Sequence, residues 1–275
     1  MDLRSKAADW NVTLEEIRET PTSLLGFGRR AASRVVLKVT KQHSDESHSG
    51  EVLRVFAGDG AVSVYEAETD AVLLERLEPG EQLVNLVKSG RDDEATKTLG
   101  QVIKKLAQHQ APAVCPTVAH WGRGFDRYLK SGAPQIPHTI VNRAQRLFQD
   151  LASSQTNTML LHGDLQHYNV LFDNNRGWVA IDPKGVVGEL EYELGATLRN
   201  PVEYPELFSD PATIRRRLEI LTTTLDLDYS RALTWAFAQA ILSAIWDVED
   251  GYHVGPSHHA LRLAGTLEAM LSKKD

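Results

Sequence analysis

The chain of 275 residues has one cysteine, Cys115. That excludes an intramolecular disulfide and a cysteine-based zinc site. No run of 18 apolar residues occurs, so a transmembrane helix is not expected. Met1 to Trp10 mixes charged with apolar side chains and holds no apolar h-region, which argues against a secretory signal. A basic excess is also missing, since 30 Lys and Arg stand against 37 Asp and Glu. Nucleic-acid binding needs a positive surface, so that class is disfavoured. No internal repeat or low-complexity tract is present. These absences lead to the expectation of a soluble cytoplasmic protein with neither nucleic acid nor membrane as partner, and a monomer by default.

What is present is ordinary globular usage, with 42% hydrophobic and 24% charged residues. The length allows one large domain or two modest ones, at roughly 100–200 residues each. The net charge of −7 is uneven. Val186 to Asp275 holds 14 acids and 8 Lys or Arg, a net of −6, whereas the preceding part is almost balanced. Such a block permits a cationic small-molecule ligand. The plainer alternative is that these acids only solvate helices.

Hydrophobic periodicity divides the chain. Val35 to Val39 is β-branched and bounded by polar clusters, and reads as a strand. Ala61 to Tyr65 and Ala71 to Glu75 read as two antiparallel strands around a polar turn. Glu46 to Phe56 reads as a helix ending near Gly58, although Gly50 weakens it. After Glu78-Pro79-Gly80 helical spacing takes over, in Glu94 to Gln110 and Ile140 to Leu151. Three more helices are expected beyond Pro211, with Ser230 to Val248 apolar on nearly every face and therefore buried. The expected fold class is α+β, with a β-rich lobe over 1–77 and a larger helical lobe over 78–275. A ligand would sit in the cleft between them.

The chemistry is concentrated in Leu160 to Leu171 and Trp178 to Gly185. Their polar skeleton is His162-x-Asp164-x4-Asn169, then Asp182 after an apolar strand. A hairpin of Val170–Phe172 with Trp178–Ile181 would bring Asp182 beside Asn169. An amide oxygen and a carboxylate are hard donors suited to Mg2+ held with substrate phosphates. Asp164 is then free to accept a proton from a substrate hydroxyl. Phosphoryl transfer needs these parts, and the skeleton matches the kinase catalytic loop and its metal-binding Asp.

The segment resembles the aminoglycoside/hydroxyurea phosphotransferases, especially the streptomycin 6-kinases. The resemblance rests on His162 to Leu171, Ile181 to Gly185, Gly188-Glu189 and Arg199-Asn200-Pro201, and continues through Leu242 to Trp246. It implies a protein-kinase-like two-lobe fold and an enzyme that moves phosphate from ATP, with Mg2+, to a hydroxyl of a small cationic acceptor. It also places an acceptor site in the helical lobe after the metal motif. Glu189, Glu191, Glu193, Asp226, Asp228, Asp247, Glu249 and Asp250 are the candidate acids there, and carboxylates bind guanidinium and ammonium groups through charge-assisted bonds. Trp246 joins them because acids follow it directly. The family often has Asp where this chain has Glu193, which leaves hydroxyurea, a related aminoglycoside or another metabolite open as acceptor.

Other kinase parts follow with their plainer alternatives. Lys38 reads as the lysine that pairs the α/β-phosphates, or as a solvent-facing strand residue. Gly26-Phe27-Gly28 reads as the loop over the phosphates, or as a hairpin turn. Glu51 is preferred over Glu46 as the helix partner of Lys38. Glu75 and Leu77 lie on the strand entering the hinge that would hold a nucleobase edge, with ATP and GTP both open. His162 orients the loop rather than moving protons. Lys184 either touches phosphate or is a solvated turn residue. His253, His258 and His259 read as surface or core polar residues, because no ligand spacing fits. Choline-kinase-like and fructosamine-kinase-like activities, a metallophosphatase and a non-catalytic nucleotide-binding protein are the competing readings.

Overall fold

The computed structural model describes residues 2–41 and 48–272. The first part builds a sheet. Helix α1 (Leu3–Asp9) precedes strands β1 (Thr13–Glu19), β2 (Ser23–Arg30) and β3 (Ser33–Thr40). Helix α2 (Ser49–Phe56) then leads to β4 (Val64–Glu68) and β5 (Ala71–Glu75). The five strands are antiparallel neighbours in the order β1-β2-β3-β5-β4.

Strand alternation assigns the two faces. Val35, Leu37 and Val39 are buried with Leu73, Leu3 and Ala7, under α1. Lys38 points to the opposite face, where α2 lies, and is itself buried. On that side Gly50 of α2 sits against Ala67 of β4, with no room for a side chain. The glycine that weakened the expected helix is thus a packing requirement.

Three departures from expectation have physical causes. β1 is almost wholly exposed and carries Glu15, Glu16, Arg18 and Glu19, so no apolar alternation marks it. Charge on an edge strand suits protection against stray pairing. The strand expected from Ala61 begins only at Val64, because Ala61 bridges to Ala180 and the Val62 N–H donates to the Ala180 carbonyl at 2.9 Å. Gly26 and Gly28 form no loop; they lie within β2, opposite Ile17 and Leu14 of β1. A Cβ on Gly28 would stand 2.2 Å from the Thr13 carbonyl oxygen, and one on Gly26 would strike Leu14. The connection that precedes β2 is Thr20-Pro21-Thr22 instead. Gly28→Ala should therefore cost roughly 1–3 kcal/mol of stability as an overpacking change. Chemical denaturation would show the loss, with nucleotide KM unmoved; the reverse pattern would restore the glycines to the phosphates.

The remainder is mostly helical. In chain order come β6 (Pro79–Gln82), α3 (Val84–Lys88), α4 (Asp92–Leu106), α5 (Val118–Trp121), α6 (Arg123–Ser131) and α7 (His138–Ser153). Then follow β7 (Met159–Leu161), β8 (Val170–Asp173), β9 (Gly177–Ala180), β10 (Val186–Gly188) and α8 (Leu190–Leu198). Helices α9 (Glu206–Ser209), α10 (Pro211–Leu225), α11 (Tyr229–Glu249) and α12 (His259–Leu271) end the described chain. α11 is the apolar 21-residue helix expected from sequence, and it packs against α6, α7, α8, α10 and α12. Its Trp235 is fully buried edge-on to Phe148 and Tyr192, at ring separations of 5.0 and 5.2 Å. Arg217 of α10 is also fully buried, where it forks onto Asp92 and donates to the Asn200 carbonyl at 2.9 Å. No helix among the described residues is long and apolar enough to cross a membrane.

Candidate active site

The site grows from a hairpin. β8 and β9 pair with Val170 opposite Ala180 and Phe172 opposite Trp178. One step beyond, the Ile181 N–H donates to the Asn169 carbonyl at 2.9 Å. Asn169 and Asp182 consequently leave the open end of the hairpin side by side, as the sequence predicts. Asp182 has φ of 57°, a left-handed conformation rare outside glycine and typical of functional positions. Its Oδ1 accepts from the Lys38 ammonium at 2.8 Å. That bond ties β3 to the metal motif, so the solvent-facing alternative for Lys38 is discarded.

The catalytic loop is held from behind by two buried groups. His162 Nε2 donates to the Ile181 carbonyl at 2.8 Å, while Nδ1 accepts the Asp164 N–H at 3.3 Å. Burial lowers its pKa, consistent with the neutral form that this bonding needs. His162 is a positioning residue and not a catalytic one, since both ring nitrogens serve the backbone. Glu193 accepts from the Gly163 and Leu165 N–H groups, at 3.1 and 3.2 Å. Burial pushes its pKa up to about 7, with Asp164 adding to the rise against the hydrogen bonds.

Asp164 points out of this loop. Arg199 Nη2 lies 3.4 Å from its Oδ1, while Nη1 donates to Gln239 Oε1 at 2.9 Å. Gln239 reaches α8 because Gly195 leaves space; a Cβ there would come 1.7 Å from the amide oxygen. Asn169 Nδ2 donates to the Asp164 carbonyl at 2.9 Å, which directs its Oδ1 away from the loop. The amide oxygen and the Asp182 carboxylate form a hard-oxygen donor pair, and this set fits Mg2+.

A cleft of about 400 Å³ adjoins the loop. Trp121 reaches it over Gly163, where a Cβ would meet the indole at 2.8 Å. Trp246 stands edge-on to Trp121 at 5.6 Å, with the Lys184 ammonium 5.9 Å above its ring. Glu249 and Asp250 also line the cleft. Arg127 forks onto Glu249 at 2.8 and 2.9 Å. The wall is therefore mixed in sign, with Glu249 and Asp250 both exposed.

Several expected site residues are placed elsewhere. Glu189 is buried and accepts from Arg231 and the Trp235 indole, so it ties α8 to α11 and does not face the cleft. Glu193 likewise serves the loop backbone and not an acceptor. Asp247 turns to His258, 3.3 Å away, instead of joining the cleft lining. Glu51 is exposed on α2, and its field acts on Cys115, whose thiol burial raises to about 11. Glu46 lies outside the described residues. The Glu75 carboxylate accepts from the Ser63 N–H and pairs with Arg176, while its own N–H donates to Ser63. Those bonds engage the Glu75 side chain and N–H within the fold. Arg199, Gln239 and Arg127 carried no role in the sequence reading; only the Arg199-Asn200-Pro201 element signalled the first.

A carboxylate, a lysine–aspartate pair and an amide at this spacing define a phosphotransferase of the kinase type. The chain belongs to the aminoglycoside/hydroxyurea antibiotic resistance kinases, whose family profile matches residues 11–251. It is 30% identical over 241 residues to streptomycin 3''-kinase of Klebsiella pneumoniae, covering 86% of this chain and 88% of that one. It is 29% identical over 247 residues to streptomycin 6-kinase of Streptomyces griseus, covering 85% and 77%. Hydroxyurea phosphotransferase of Kitasatospora aureofaciens is 31% identical over 219 residues, with 75% and 61% covered. Among solved structures, a thermostable mutant of aminoglycoside phosphotransferase APH(4)-Ia with AMP-PNP and hygromycin B matches at a TM-score of 0.68. The identity is 15%, with 99% and 98% covered. A choline/ethanolamine kinase family protein from Mesorhizobium loti matches at 0.67 with 16% identity, covering 98% and 90%. These structures share the protein-kinase-like fold.

Proposed function

We propose that this enzyme transfers the γ-phosphoryl group of Mg2+-ATP to a hydroxyl of a streptomycin-like acceptor. The observation that carries the reading is the placement of Asp164. Its carboxylate leaves the loop that Asn169, Asp182 and Lys38 surround, and Trp121 and Lys184 connect that loop with the cleft.

Each residue then has a part. Asp164 accepts or orients the acceptor hydroxyl proton. Arg199 holds the Asp164 carboxylate in place through its second bond to Gln239. Lys38, which holds Asp182 Oδ1 at 2.8 Å, would position the α/β-phosphates with its ammonium. Asn169 and Asp182 would hold Mg2+, which supplies neutralisation of the phosphate charge. On the acceptor side, Trp121 and Trp246 offer apolar ring surface, and Asp250 with Glu249 offers carboxylates to guanidinium groups. The division of labour follows the chain, with residues 1–77 holding nucleotide and 78–275 holding catalysis and acceptor.

An ADP-release assay with streptomycin, hydroxyurea and choline as separate acceptors tests this. Release dependent on streptomycin is expected. Release with hydroxyurea or choline alone would keep the kinase and overturn the acceptor.

A further inference from the structure

The end of α11 meets the start of α12 through three metal-ligating side chains that phosphoryl transfer does not use. Asp247 lies in the last turn of α11, His258 caps α12 and His259 is its first residue. One ligand atom from each lies within 4.8 Å of the others. The adjacent rings are tilted by 37° with centroids 4.3 Å apart.

We propose that Asp247, His258 and His259 form a zinc site that joins α11 to α12 beside the acceptor cleft. Four-coordinate zinc holds nitrogen and oxygen ligands at about 2.0–2.1 Å, which sets ligand–ligand edges of about 3.3–3.4 Å. The His258 Nε2 to Asp247 Oδ2 separation is already 3.3 Å. His259 is the third ligand, with its nitrogen within 4.8 Å of the other two ligand atoms, and water takes the fourth position. Two imidazoles with one carboxylate suit zinc and not Mg2+, which prefers oxygen alone.

The Nδ1 atom of His258 is buried with no hydrogen-bond partner. An imidazole presents one nitrogen to one ion, so with Nε2 turned to Asp247 this Nδ1 carries the ring proton and is left to water.

The link has a consequence for the cleft. Trp246, just before Asp247, and Asp250, three residues after it, line the acceptor space. Zinc at Asp247 would fix this end of α11 from behind.

Equilibrium dialysis of the chelator-treated protein against zinc, with Mg2+ in excess, followed by metal analysis, is the test. One zinc per chain is expected in the wild type and in His253→Ala, an exposed histidine of the same segment. Asp247→Asn, His258→Ala and His259→Ala should each weaken binding at least about 10-fold, the minimum seen even for partners that only orient ligands. Cobalt in place of zinc should give the visible absorption of a tetrahedral site, lost in His259→Ala. Circular dichroism separates loss of the site from loss of the fold. Zinc binding no stronger than in folded His259→Ala, or retained after both histidines are replaced, would overturn the proposal.

Discussion

Asp164→Ala should lower kcat by roughly 10²–10⁴, the contribution of a positioned general base. Nucleotide KM should change little. Lys38, Asp182 and Asn169 keep their places, because Asn169 bonds the Asp164 carbonyl and not its carboxylate. Arg199 loses one partner but retains Gln239. The loss is therefore chemical, and the melting temperature should fall far less than the rate. Steady-state kinetics beside a thermal melt separates the two. Near-wild-type turnover would remove Asp164 from the chemistry, and a collapsed melt would make it a structural residue.

Glu193→Ala is expected to destabilise the protein by roughly 2–6 kcal/mol, taking about 1–3 kcal/mol for each of two buried amide donors left unpaired. Those donors are the Gly163 and Leu165 N–H groups, on either side of Asp164. Urea unfolding with enzyme turnover gives the measure. The pH dependence has a definite sign. The folded pKa of Glu193 is raised to about 7 from an ordinary 4.5, so the folded chain binds this proton more tightly than the unfolded chain. Its stabilising contribution is full below about pH 4.5 and is lost as pH rises through about 7. Glu193→Gln cannot titrate. The stability difference between wild type and Glu193→Gln should hence move against wild type across that window. A difference flat from pH 4.5 to 7 would mean that Glu193 is not buried against the loop as described.

The parts of the fold and site that could be read in the sequence are local. The hairpin that aligns Asn169 with Asp182 is set by two short apolar runs and a turn, all within about a dozen residues. The helices beyond Pro211 follow from spacing along one chain segment. What escaped depends on contacts between distant segments. Arg199 meets Asp164 only because α8 folds back over the loop, and Gly195 marks this by an absence that sequence alone does not explain. Glu193 looked like an acceptor ligand because charge near the metal motif suggests solvent, whereas the carboxylate is buried under amide groups. Gly26 and Gly28 carried the pattern of a phosphate loop, yet backbone approach from β1 is what requires them. The histidines after Gly251 had no ligand spacing along the chain, since the turn between α11 and α12 is what brings His258 and His259 to Asp247.

The most direct measurement is the mass of streptomycin after incubation with the enzyme and Mg2+-ATP, with Asp164→Ala in parallel. Gain of one phosphate with the wild type, and little or none with Asp164→Ala over the same interval, is the predicted result. No gain, with nucleotide bound but no acceptor-dependent ADP formed, would contradict the assignment of this site to acceptor phosphorylation.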